Sequence, residues 1–279
     1  MQWRFIPFSR LDAFENMAID EAVFRINQCR DVPPTLRLYG WSSPTVSLGY
    51  FQNIEKEVDV GTCRRHGVTI VRRPTGGKAV LHDGDLTYAV VATEKNPLFP
   101  VDLLGTYRVI SQCLAHGLAK IGVKAEMAGD SRISQNDSLA SSCFSSPSMY
   151  ELLVKNRKIC GSAQVRSRGV FLQHGSILMD FNPFKTCEVM LPHSDDYEGQ
   201  VERLKHSVTS INEHIHPPVN VNALCDILKA AFENTLNIQL APGTLSVEEE
   251  ELKAHLMKNK YMNHQWNMGG GCKGWISKV

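Results

Sequence analysis

The chain has 279 residues, 43 % of them hydrophobic, and its 30 Lys+Arg against 29 Asp+Glu leave a formal charge of +1. That composition is ordinary for one large globular domain with an ample core, and the charge balance excludes a protein built chiefly to grip nucleic acid. No apolar run reaches the roughly 18 residues of a membrane span, and the opening MQWRFIPFSR has no apolar signal core, so a cytoplasmic protein is expected.

Asp12-Ala-Phe-Glu15 has the form of a capping box, and Phe14, Met17, Ala18 and Ala22 recur at helical spacing, predicting a helix over 12–28. Pro33 and Pro34 end it. Strands follow at Thr35–Tyr39, Thr45–Tyr50, Val68–Arg73 and Leu86–Ala92, rich in Val, Thr and aromatics. Leu103, Tyr107, Ile110, Leu114 and Ile121 share a helical face that stops at Gly122. Residues 129–148 are rich in Ser, Asn and Asp with no sustained period, and read as a mobile binding loop. Glu151–Val154 and Lys158–Cys160 form a hairpin about Lys155-Asn156-Arg157, and strands at Val170–Gln173 and Ser176–Asp180 continue the sheet. A helix over 221–236 follows, and Ser246-Val-Glu-Glu249 opens a last one. Without regular βαβ alternation, this order predicts an α+β fold with a mixed sheet flanked by helices. Residues 1–240 read as the main domain and 241–279 as a small helical extension, its Gly269–Gly274 tail disordered.

The eight cysteines offer no Cys-x2-4-Cys pair, the closest two being Cys143 and Cys160, so a structural zinc module is excluded. In a reducing compartment they read as packing thiols. Cys143 differs, because it sits in the polar loop.

Two segments concentrate chemistry. In Val71-Arg-Arg-Pro-Thr-Gly-Gly-Lys-Ala-Val-Leu-His-Asp83, Pro74 fixes a turn and Gly76-Gly77 lets backbone approach a ligand. Arg72, Arg73 and Lys78 add charge, making a nest suited to an anion or a carbonyl oxygen, or else a plain turn with solvated arginines. The spacing of a Walker loop is absent. The second segment runs from Cys143-Phe144 to Tyr150-Glu151 and on through Arg157-Lys158-Ile-Cys-Gly161-Ser162-Ala163-Gln164. A lysine folded beside Cys143 would favour thiolate over thiol, and a thiolate can carry an acyl group as a thioester. His82 and His174 stand beside these segments as candidates to orient a substrate or assist proton transfer.

RRPTGGKAVLHDGDLTYAV resembles the Arg-Arg-x-Ser/Thr-Gly-Gly…His-Asp signature of the biotin/lipoate protein ligase and lipoyltransferase superfamily. Cys143 to Asp180 is similar to the cysteine-dependent octanoyltransferases, with Cys-Phe-x-x-Pro-Ser-x-Tyr-Glu-Leu and then Arg-Lys-x-x-Gly-Ser-Ala-Gln. The resemblance covers roughly residues 3–240, with an echo at Trp266-Asn267. It implies a biotin/lipoate protein ligase-like domain moving an octanoyl group from acyl carrier protein to a lysine of a lipoyl domain, such as glycine cleavage H protein. It further implies Cys143 as acyl-thioester nucleophile and Lys158 as the group that activates it and polarises the carbonyl. Arg72, Arg73, Thr75, Gly76, Gly77, His82, Gly161, Ser162, Ala163 and His174 are the substrate-binding candidates. No metal, cofactor, nucleic acid or membrane is implied. The alternatives are an ATP-dependent lipoate ligase, an amidotransferase between lipoyl domains, and a non-catalytic binder of acylated carriers. Tyr150-Glu151, where ligases typically carry Asn-Asp, counts against the ligase.

Overall fold

A computed structural model describes residues 1–128, 151–191 and 195–269. Its strands, in chain order, are β1 (Gln2–Leu11), β2 (Thr35–Trp41), β3 (Thr45–Leu48), β4 (Thr69–Arg72), β5 (Val80–His82) and β6 (Asp85–Thr93). There follow β7 (Glu126–Met127), β8 (Leu152–Val154), β9 (Arg157–Ser167), β10 (Val170–Leu178) and β11 (Gln239–Pro242). The helices are α1 (Ala13–Cys29), α2 (Ile54–Glu57), α3 (Val60–Arg65), α4 (Leu103–Lys120) and α5 (Pro183–Val189). Then come α6 (Tyr197–Ser207), α7 (Val221–Leu236), α8 (Val247–Leu256) and α9 (His264–Met268).

Among the described residues the main sheet has eight strands in the order β11-β1-β2-β6-β10-β9-β8-β7, and a smaller sheet has the order β4-β3-β5. β1 runs parallel to both β2 and β11, whereas β2, β6, β10 and β9 pair antiparallel. The mixed α+β architecture expected from the element order is therefore present. One face of the main sheet buries Leu38, Tyr88, Val90 and Phe171 against Leu114, Leu118, Leu228 and Phe232 of α4 and α7. The other buries Tyr39, Ala89 and Leu172 against Met17, Ala18 and Ala22 of α1. The period-two alternation of the strands dictates this division.

Local chemistry sets the element ends. Asp12 caps α1, accepting from the Phe14 and Glu15 amides at 2.9 and 2.8 Å, while the Glu15 carboxylate faces Lys253 at 3.4 Å. The β8–β9 hairpin turns through Lys155 and Asn156, with φ of 50° and 64°, as a two-residue turn between twisted strands requires. Ser246 and Glu249 close a complete capping box on α8. Leu256, Tyr261 and Trp266 of the C-terminal segment pack into the α1 cluster, so this segment shares the core of the main sheet.

Two points differ from expectation. The two strands expected over 170–180 are one continuous strand, β10, because Gly175 is a close approach rather than a break. A Cβ there would lie 2.6 Å from the Gly161 carbonyl oxygen. β1, β5, β7, β11, α2, α3, α5, α6 and α9 had no counterpart in the elements expected from the sequence. The 129–148 loop and the Gly270–Gly274 part of the tail lie outside the described residues.

Candidate active site

A cavity of about 420 Å³ lies between the α1 face of the main sheet and the smaller sheet. Its floor is built from Gly161 and Ala163 of β9, His174 and Ser176 of β10, Thr87 of β6, and Tyr39 and Trp41 of β2. Ser47, Val80, His82 and the Arg73–Lys78 turn form the facing wall. Met17 reaches in from α1, and Lys158 and Glu151 stand at the β9 end.

A fault in strand pairing aims Lys158 into this space. Leu152 pairs with Cys160 but Leu153 pairs with Lys158, so Ile159 is an extra residue in β9. Such a bulge shifts the alternation by one. Ile159 and Cys160 both enter the core, and Lys158 joins Gly161 on the cavity face. Lys158 Nζ donates to Glu151 Oε1 at 2.6 Å, with both side chains nearly buried. Gly161 makes the room, since a Cβ there would lie 2.8 Å from Lys158 Cε and 3.1 Å from Nζ. Cys143, the expected nucleophile, lies outside the described residues. Burial pushes the Cys160 thiol up to about 12, so this neighbour behaves as a packing group.

Two histidine relays converge on Arg73. His174 Nδ1 meets Asp20 Oδ2 at 3.0 Å, and its Nε2 meets Thr75 Oγ1 at 2.7 Å. His82 Nδ1 meets Asp85 Oδ2 at 2.9 Å, and its Nε2 meets Ser47 Oγ at 2.8 Å. Burial works to raise both carboxyls, but Arg37 and His174 hold Asp20 low, and His82, Ser176 and Thr87 hold Asp85 low. An ionised carboxylate only accepts, so each imidazole donates from Nδ1. Burial, aided by Arg73 and His82, holds His174 below the ordinary imidazole range against the pull of Asp20. A neutral His174 then accepts the Thr75 hydroxyl proton at Nε2. Arg73 donates to Thr75 Oγ1 at 3.1 Å, to Ser47 Oγ at 3.2 Å, and to the Gly76 and Lys78 carbonyls at 2.7 and 2.8 Å. Its guanidinium thus locks the Gly-Gly turn.

The expected binding residues therefore divide. Arg73, Gly77, His82, Gly161, Ser162, Ala163 and His174 line the cavity together with Lys158. Thr75 acts behind His174. Arg72 does not line the cavity and is fully buried, in place of the solvated or anion-facing arginine that its sequence position suggested. It donates to the carbonyls of Gly49, Gln52, Trp266 and Asn267 at 2.8 to 3.2 Å, while its amide donates to Asn267 Oδ1. It ties the 49–52 loop and α9 behind the turn. Sequence reasoning missed Asp20, Asp85, Ser47 and Glu151 as parts of the site. Asn16 and Asp20, four residues apart on a buried helical face, were the available signal for the first. Among the described residues no group of three or more His, Cys, Asp or Glu side chains could hold a metal, and no helix is long and apolar enough to cross a membrane.

The family model of the lipoyl protein ligase A/B catalytic domain matches residues 12–233. The chain belongs to that family. It is 40 % identical over 270 residues to an octanoyltransferase LipM of Bacillus subtilis, covering 95 % of this chain and 97 % of that one. A LipM octanoyltransferase of Kyrpidia tusciae is 43 % identical over 272 residues, covering 95 % and 98 %. Among solved structures, a bipartite lipoate protein ligase of Thermoplasma acidophilum superposes with a TM-score of 0.81 at 25 % identity, covering 96 % and 97 %. A lipoate-protein ligase A bound with ATP gives 0.79 at 27 %, covering 96 % and 99 %. The family's fold and an acyltransferase activity, both implied by the motifs, hold for this chain, and the relatives' names accord with octanoyl transfer in lipoate biosynthesis.

Proposed function

We propose that the protein moves an octanoyl group from acyl carrier protein to a lysine of a lipoyl domain, such as glycine cleavage H protein, through a thioester on Cys143. The Cys143 thiolate attacks the donor's thioester carbonyl, the carrier C–S bond breaks, and the carrier thiolate leaves and takes a proton. The acceptor amine then attacks the enzyme thioester, an amide forms, the cysteine thiolate leaves, and the amine gives up a proton. Lys158 serves as the cation that favours the thiolate and polarises the carbonyl. Exchange between thioesters is nearly balanced, and amide formation drives the sequence without ATP. The supporting observation is the Lys158 ammonium over Gly161, at one end of a cavity roomy enough for an acyl chain. His82, His174, Gly77, Gly161, Ser162 and Ala163 shape that cavity directly, and Arg72, Arg73, Thr75 and Gly76 hold its turn in place. Residues 1–240 act as the catalytic domain, and the 241–279 extension braces the turn through Arg72. A cytoplasmic site of action belongs to this reading, because reducing conditions keep Cys143 a thiol.

The test is incubation with octanoyl-acyl carrier protein without ATP, read by intact mass. An octanoyl adduct that hydroxylamine removes and Cys143→Ser abolishes is expected, followed by transfer to the lipoyl domain. No adduct, or one that survives Cys143→Ser, overturns the thioester route. A requirement for ATP and free acid makes the protein a ligase. Accumulation of octanoyl groups only from another lipoyl domain makes it an amidotransferase, and binding without turnover makes it a non-catalytic binder.

A further inference from the structure

Strand register lays the cavity floor as a row of neighbours: Gly161 opposite Ser176, Ser176 opposite Thr87, and Thr87 opposite Tyr39. The row crosses three strand gaps of about 4.8 Å and so measures roughly 14 Å. Lys158 stands over its first position. Its last position is Tyr39 of β2, with Trp41 two residues on in the same strand, and Met17 of α1 lines the cavity and belongs to the same hydrophobic cluster as both. An octanoyl chain has seven carbon–carbon bonds of about 1.5 Å, and extended it spans about 9 Å. Adding about 4 Å of van der Waals contact beyond the methyl carbon brings it close to the length of the row.

The three end-wall side chains are held differently. Tyr39 Oη donates to Asp20 Oδ2 at 2.8 Å, and the Arg37 guanidinium lies 3.9 Å from the Tyr39 ring centre. Trp41 Nε1 donates to Thr87 Oγ1 at 2.9 Å, and its ring stacks on His82 with centres 4.1 Å apart. Both aromatic rings are pinned. Met17 is a buried, unbranched thioether packed in the same cluster, and a thioether fills space by shape rather than by directed bonds.

We propose that Met17 is the chain-length gauge of this enzyme, closing the far end of the acyl cavity against the fixed Tyr39 and Trp41 so that eight-carbon groups are preferred over longer ones. The inference rests on the octanoyl-transfer reading, with the acyl carbonyl at the Lys158 end. Met17→Ala removes three heavy atoms at the end wall, room for about two more methylenes, each favoured about fourfold when buried. Met17→Phe fills the same space and shortens the row.

The test offers the full-length protein pairs of acyl carrier proteins loaded with hexanoyl, octanoyl, decanoyl or dodecanoyl groups, with a lipoyl domain as acceptor. The ratio of the two acylated products is read by intact mass, and a ratio within one tube cancels any loss of folded enzyme. Met17→Ala is expected to raise the decanoyl-to-octanoyl ratio about sixteenfold, two methylenes at about fourfold each, and Met17→Phe to raise hexanoyl over octanoyl. Met17→Val gives the same comparison, with a smaller shift, where the alanine variant does not fold. Ratios equal to wild type in the truncated variant, or a phenylalanine variant that does not move the opposite way, overturn the gauge. A wild type that transfers no octanoyl group overturns the activity on which it rests, which is a distinguishable failure.

Discussion

Gly161→Ala is the sharpest test of the role proposed for Lys158, because the added methyl meets almost nothing else. The Cβ would lie 2.8 Å from Lys158 Cε and 3.1 Å from Nζ, with Glu151 Oε1 next at 4.0 Å. The lysine must swing out and stretch its 2.6 Å bond to Glu151. Removing one partner of a buried pair outright costs about 3–5 kcal/mol. Lys158 keeps some exposure and can follow the solvent, while alanine in a strand recovers part of the loss, so about 1–2 kcal/mol is expected. The effect on chemistry is larger, since displacing a reacting group by about 1 Å costs roughly 100-fold in rate. Single-turnover transfer from octanoyl-acyl carrier protein measures that loss, and urea unfolding measures the stability. The two should dissociate. A double-mutant cycle decides the cause, because Gly161→Ala added to Lys158→Ala should change the rate no further. Transfer by the single variant within threefold of wild type, or a second large loss in the double variant, refutes the role given to the lysine's position.

Asn267→Ala leaves the Arg72 amide without its side-chain acceptor and should cost about 2–3 kcal/mol in urea unfolding, although Asn267 lies nearly 200 residues from the turn it supports. A change below about 0.5 kcal/mol would deny the tether. Gly49→Ala would place a methyl 1.9 Å from the Gly77 carbonyl oxygen, backbone against backbone, and should destabilise by about 3 kcal/mol or more, so a melting temperature equal to wild type would contradict the packing. His174 is held below its ordinary value of 6.5, so the unfolded chain takes up its proton first as the pH falls. Stability from this group is complete above that value and lost below it, by up to about 1.4 kcal/mol per pH unit until the folded form also titrates. Melting curves from pH 7.5 down to 5 should fall less steeply in His174→Gln than in wild type (about 7 down to 5 is the informative span), and parallel curves would argue against a buried neutral imidazole.

Much of the scaffold was legible because burial on one face writes itself into periodicity. Leu86–Ala92 became the central strand β6, and the Phe14–Ala22 spacing became α1. β1 escaped notice because Pro7 interrupts its alternation and its partners, β2 and β11, are remote in sequence. The site was half legible. Glycines and histidines stood out as clusters, but Asp20 did not, since it reaches His174 from α1, 154 residues away in the chain. Charge misled at Arg72, where a guanidinium that looked ready for a ligand serves main-chain carbonyls instead. Nor does any pattern announce the extra residue Ile159, on which the direction of Lys158 depends.

On the thioester route proposed above, the paired relays behind Arg73 have a consequence for the lifetime of the acyl-enzyme. His174 has its Nδ1 proton on Asp20 and its Nε2 lone pair on Thr75, and His82 is likewise engaged between Asp85 and Ser47. Neither ring offers a lone pair to a water molecule that strays alongside a stored acyl group. An enzyme that holds an energy-rich ester while it waits for a second protein to arrive must above all not hydrolyse it. Here the two residues best suited to catalysing that waste are kept idle by the same bonds that shape the chamber.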